Sequence, residues 1–148
     1  MTNHREDRDA RIALALELEL GSGRHGASAR VELLEWAGEA KRVARVTLRG
    51  WIGGAAQRRL ERAFVDLAAR DVDHVVLDCR RVLHLGDRVA HRLVDAASRF
   101  EAGTGRVEVW GLSGRLSRRL AAPRVRCWPR ADDAAGVQLL EPAGEYAS

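Results

Sequence analysis

Between residues 29 and 128 the apolar residues of this chain switch repeatedly between a period of two and a period of 3.6, and that switching constrains the fold most. ARVELLEW (29–36) and RVARVTLRG (42–50) alternate like strands and are joined by AGEAK, a short glycine-bearing connection that predicts a hairpin. Ala56, Leu60, Ala63, Phe64, Leu67 and Ala68 then fall on one helical stripe. HVVLDC (74–79) is a β-branched run of the kind buried in a sheet. A second helix is predicted from Asp87, with Val89, Ala90, Leu93, Val94, Ala97 and Phe100 inward, and GTG (103–105) ends it. RVEVWG (106–111) is a further strand of parallel type. SGRLSRRLAA (113–122) is a helix capped by Ser113, with Leu116 and Leu120 inward and Pro123 at its end. VRCW (125–128) closes the strands, and Asp132 or Asp133 can cap a terminal helix through Leu140. Strands and helices in this order predict an α/β fold, a mixed β-sheet packed with about four helices.

The chain has 148 residues, the size of one domain. Residues 1–29 are expected to be an N-terminal arm and flexible linker, and 30–148 the folded domain. Within the arm IALALELEL (12–20) reads as an extra strand, Ile12, Leu14, Leu16, Leu18 and Leu20 on one face. Its Ala, Leu and Glu content pulls towards helix instead. No apolar run approaches the roughly 18 residues of a membrane span, and residues 1–12 carry no apolar stretch of a secretory signal. Cys79 and Cys127 lie in strand-like runs and are expected as buried free thiols, which suits the cytoplasm.

Of the 25 basic residues only Lys41 is a lysine, and 21 acids leave a net charge of +4. Arginine excess invites a nucleic-acid reading. The arginines are spread over several helices and loops, and Trp36, Trp51, Trp110 and Trp128 do not interleave with them on one face, which disfavours it. Those tryptophans are expected to pack in the core or at the sheet edge. His84, His91, Asp78 and Cys79 match no zinc spacing, and nothing in the sequence orients a base beside Cys79. GLSG (111–114) lacks the spacing of a nucleophile elbow, and no glycine pair completes a phosphate-binding loop. The sequence assigns no catalytic residue, no metal and no cofactor.

A strand ending at Gly50, a helix, a VVLD strand with an apolar-rich loop, a second helix, a V-x-V-x-G-L-S turn and a last strand leading to an acidic helix resemble a STAS domain over about residues 30–141. That is the fold of bacterial anti-sigma-factor antagonists, stressosome subunits and the cytoplasmic tails of sulfate transporters. Phosphoregulated members read D-x-S-x-V-x-F-I-D-S-S-G-L after the strand, the first serine of D-S-S-G accepting the phosphate. Laid on it without gaps, Leu85 takes the Ile, Gly86 the Asp, Asp87 the acceptor serine and Arg88 the next serine. The resemblance therefore implies a non-enzymatic protein-binding regulator in signal transduction that lacks the usual hydroxyl. Asp87 reads either as a helix N-cap or as a fixed, phosphate-like charge where the helix dipole favours anions.

The implied contact face comprises Leu83, His84, Gly86, Asp87, Arg88, His91, Arg92 and Arg99, a basic surface suited to an acidic partner. The implied partner is an anti-sigma factor of the kinase kind, or a subunit of another complex such as a transporter. Nucleic acid is the disfavoured alternative, and a homodimer stays among the options.

Overall fold

The computed structural model describes residues 10–21, 26–36, 38, 42–70, 72, 74–99 and 106–130, without the side chains of residues 68 and 99. Six strands form a sheet in sequence order. They are β1 (Ala10–Gly21), β2 (Ala27–Trp36), β3 (Arg42–Ile52), β4 (His74–Leu85), β5 (Arg106–Trp110) and β6 (Val125–Trp128), with helices α1 (Gly54–Ala68), α2 (Asp87–Arg99) and α3 (Gly114–Leu120) between the last four. β1, β2 and β3 pair antiparallel, and β3 to β6 run parallel. About four helices were expected; three are described, and the fourth, placed between Asp132 or Asp133 and Leu140, falls outside the described residues.

The strand order dictates the layering. Right-handed crossovers between β3, β4, β5 and β6, taken in unbroken order, set every connecting helix on the same face. The core sits there: Ala29, Val31, Val46, Leu48, Val75, Leu77, Val107 and Val109 face Leu60, Phe64, Leu93, Ala97, Leu116 and Leu120. α3 is entered as expected, with the Ser113 hydroxyl accepting from Leu116 N at 3.2 Å.

The opposite face of the sheet carries paired charges. Glu17, Arg30, Glu32 and Arg45 run across β1, β2 and β3, with Arg30–Glu17 at 2.8 Å and Arg45–Glu32 at 2.9 Å. Arg30 holds its proton more tightly than a free arginine, chiefly through its hydrogen bond to Glu17. Further along, His74 Nε2 meets Glu108 Oε2 at 2.6 Å. The acids on this face are matched by bases, so the arginine excess does not accumulate here.

Two expectations are corrected. A register shift between Ile12 and Leu14 inserts an extra residue, which flips side-chain direction. Ile12 pairs with Leu34 on the face away from the helices, while Leu14, Leu16 and Leu18 pair with Leu33, Val31 and Ala29 on the core side. The apolar loop expected after Asp78 is instead strand: β4 runs on to Leu85, pairing with β3 as far as Ile52. Its partner β5 ends at Trp110, opposite Asp78, so residues 81–85 are an arm supported from one side.

Candidate functional site

Arg99 lies at the far end of α2, whereas the other expected contact residues, Leu83 to Arg92, gather at the carboxyl end of the parallel strands, where α1, α2 and α3 begin. Ligands of open α/β sheets meet this end because strand ends and helix N-termini converge there. The β4 arm is carried to it by a bend at Asp78–Arg80. Asp78 accepts from Arg80 N at 3.1 Å, Nε at 3.0 Å and Nη2 at 2.8 Å, a two-pronged pair on a side-chain-closed turn. Burial would raise the Asp78 carboxyl, but the Arg80 hydrogen bonds and charge outweigh it and hold it below the ordinary carboxylate value. The bend rests on Gly111, at φ +88°. Arg80 reaches over Trp110, 6.0 Å from the ring centre, and Trp110 stacks on Trp128 at 5.4 Å.

On the arm, Leu83 is 84% exposed. His84 is exposed and stacks on Trp51 with ring centres 4.1 Å apart. Trp51, at the end of β3, is 41% exposed, which corrects the expectation that it packs in the core or at the sheet edge. Spacing gave no signal for this pair, since strand pairing across 33 residues brings the rings together. Trp110 and Trp128 do pack as expected, on each other.

Gly86 is half-buried, and its carbonyl accepts from Ala90 N at 2.9 Å, so Gly86 occupies the N-cap position. A Cβ at Gly86 would meet nothing within 4 Å, so packing does not demand glycine there. Asp87 is therefore the first residue inside α2 rather than its cap. Its carboxylate turns to α3, accepting from Arg119 Nη1 at 2.7 Å and Arg115 Nη2 at 3.4 Å. Arg88, His91 and Arg92 are exposed along the first turns of α2. Arg99 ends that helix and its side chain falls outside the described residues. Arg118 is also exposed on α3, and of these arginines Arg115 and Arg119 contact Asp87. The sequence placed Arg115 and Arg119 on a separate helix; that they clamp Asp87 follows from α2 packing on α3.

No known protein-family profile matches the chain, and no curated protein matches it in sequence. A solved structure does, that of an anti-sigma factor antagonist from Mycobacterium paratuberculosis, with a TM-score of 0.53 and 23% identity over 80% of this chain and 99% of that one. The fold is that of an anti-sigma factor antagonist. At 23% identity the likeness concerns architecture, so an antagonist-like sheet and helix layer is what positions the residues above.

His84 and His91 lie at this exposed end, whereas Cys79 faces the core of the antagonist-like fold and is buried. The structure does not bring them together, and no group of three His, Cys, Asp or Glu side chains suited to a metal occurs among the described residues. Desolvation pushes the Cys79 thiol up to about 12 and that of Cys127 to about 11. A thiol raised in the folded state stabilises below the unfolded value near 9 and loses that contribution as pH rises towards 11–12. Both thiols are thus expected to resist a disulfide reagent at pH 8 until denaturant is added, and thermal stability is expected to fall above about pH 9. Rapid labelling of the folded protein would contradict this.

Proposed function

We propose that the chain is a non-enzymatic, cytoplasmic regulator of the anti-sigma-factor-antagonist kind. It docks a protein partner through Leu83, His84, Asp87, Arg88, His91 and Arg92, and is not switched by phosphorylation of that face. The observation that carries this reading is the carboxylate of Asp87 at the start of α2, held by Arg119 at 2.7 Å. A phosphoserine at such a position would bring an anion to the positive end of the helix and engage nearby arginines. Here the chain supplies that anion itself, permanently, together with its counter-ions. A partner that prefers the uncharged, hydroxyl-bearing face is held off, so the domain rests in the form equivalent to the phosphorylated one.

The Asp87 pair is partly exposed on both sides, so its loss costs no more than about 1 kcal/mol and variants stay folded. The test immobilises the native chain, Asp87→Ser, and Arg88→Glu with Arg92→Glu, and measures retention of proteins from the source cells. Asp87→Ser is expected to raise retention of a sigma-regulatory kinase several-fold, and the double reversal to lower it. A partner held equally by all three would remove this face from the reading.

A further inference from the structure

The matched charges of the helix-free face give out towards the carboxyl ends of β3 and β4. Arg49 and Arg81 are register partners there, both exposed, and like charges set directly opposite each other destabilise a sheet unless an anion joins them. Neither makes an ion pair among the described residues. Arg81 helps to hold down the Asp78 carboxyl, but Arg80 already takes both of its oxygens. The other acid in this row, Glu19, lies two strands from Arg49, across Ser28. Aromatic rings flank the arginine pair. Leu48 and Ile52 are buried in the core and Val82 and Leu85 pack against it, so Arg49, Trp51, Arg81 and His84 turn away from the helices. Trp51 and His84 stack one step further along the arm. On the other side Arg80 reaches over Trp110, which stacks on Trp128. The sequence disfavoured nucleic acid because its tryptophans did not interleave with arginines on one face. Strand pairing removes that objection by setting three of the four tryptophans on one side of the sheet with Arg49, Arg80 and Arg81.

We infer that this strip binds single-stranded nucleic acid, with phosphates seated on Arg49 and Arg81 and a base stacked against the ring pair of His84 and Trp51. The inference goes beyond the protein-docking reading, shares only His84 with it and does not depend on it. Paired guanidinium groups suit phosphate, which each can hold in a two-pronged way. Rings on which any base can stack are the other half of single-strand recognition, and a duplex keeps its bases out of their reach. The openness of the strip selects a polymer over a free nucleotide: Trp51 is 41% exposed and both arginines are exposed. A small ligand needs a concavity that covers most of its surface, whereas a strand gathers weak contacts along its length.

Fluorescence anisotropy of the full chain with a labelled, mixed-sequence single strand of about 12 nucleotides, as DNA and as RNA, tests this. Binding is expected at about 50 mM salt and should weaken about sevenfold at about 200 mM, the loss for two phosphates of a single strand. A duplex of the same sequence offers no base to stack and should bind at least about fivefold more weakly. Trp51→Leu should weaken the single strand by at least about fivefold and leave the salt dependence unchanged. Arg49→Gln with Arg81→Gln should remove most of the salt dependence, and because the like charges no longer oppose, the melting temperature should not fall. Arg58→Gln with Arg62→Gln takes the same charge from exposed positions on α1 and should change affinity by less than about twofold. No binding at the lower salt, equal binding of the duplex, or equal losses from the two arginine pairs would overturn the inference. So would capture of phosphatidylserine vesicles in place of the strand, which would make the strip a membrane contact.

Discussion

Gly111→Ala is expected to lower the unfolding free energy by about 2–5 kcal/mol, read as a shifted denaturation midpoint at unchanged slope. Two costs add. At φ +88° an L-residue is held in left-handed backbone, which costs roughly 1–2 kcal/mol. The added Cβ would also stand 2.5 Å from Arg80 Cγ, 2.7 Å from its Cα and 2.8 Å from its backbone N. Overpacking of that kind costs about 1–3 kcal/mol when the neighbour cannot swing away. Two of the three atoms are backbone, and the turn they belong to is fastened by Asp78, so relief requires moving the β4 arm. Gly86→Ala is the control. A Cβ there meets nothing within 4 Å, so its cost should be limited to the poorer N-cap that alanine makes, about 0.5–1 kcal/mol. If Gly111→Ala behaved like Gly86→Ala, the packing of β4 over Gly111 would be wrong.

That bend also marks where sequence pattern stops being informative. Strands 29–36, 42–50, 106–111 and 125–128 and the three described helices were legible because each buries one face, and burial leaves a period in the sequence. Residues 81–85 bury little and pair on one side only, so RVLHL shows no alternation and looks like a loop; the backbone pairing with β3 that makes it strand is invisible in side-chain chemistry. The Ile12 reversal has a similar origin. One inserted residue inverts the face without altering the string of apolar letters.

The candidate site was legible along the chain but not across it. Leu83 to Arg92 could be singled out by lying where a resembling pattern keeps its acceptor. Locally, an aspartate such as Asp87 at a helix start suits a cap and a fixed charge alike. What decides its role is Arg115 and Arg119, 28 and 32 residues away, and Trp51 reaches His84 by the same kind of long-range pairing. The net charge of +4 was equally uninformative until the sheet separated it. Acids and bases match over most of the helix-free face, whereas on the helix side Arg115 and Arg119 converge on Asp87 and Arg88 and Arg92 stay exposed beside it.

Phe64→Ala should destabilise the protein by about 3–5 kcal/mol, while Val65→Ala, one residue on, should change stability by less than about 0.5 kcal/mol. Phe64 is 2% exposed and Val65 70%, since a helix turns its neighbours about 100° apart. Phe64 shares the α1 stripe with Ala56, Leu60 and Leu67, all buried, and that stripe joins α2 to β1 and β3. Truncation removes the ring's transfer free energy and leaves a cavity in a layer held by strands on one side and α2 on the other, so collapse is hindered. At about 2–4 °C per kcal/mol for a chain of this size the melting temperature should drop by roughly 10 °C. The layer is also what presses α2 against α3 and keeps Asp87 within reach of Arg119. A Phe64→Ala protein that still folds at low temperature should therefore lose the Asp87–Arg119 contact at its exposed end as it warms, before it unfolds, whereas Val65→Ala should keep the two transitions together. Equal melting temperatures for the two variants would mean that α1 turns a different face to the sheet.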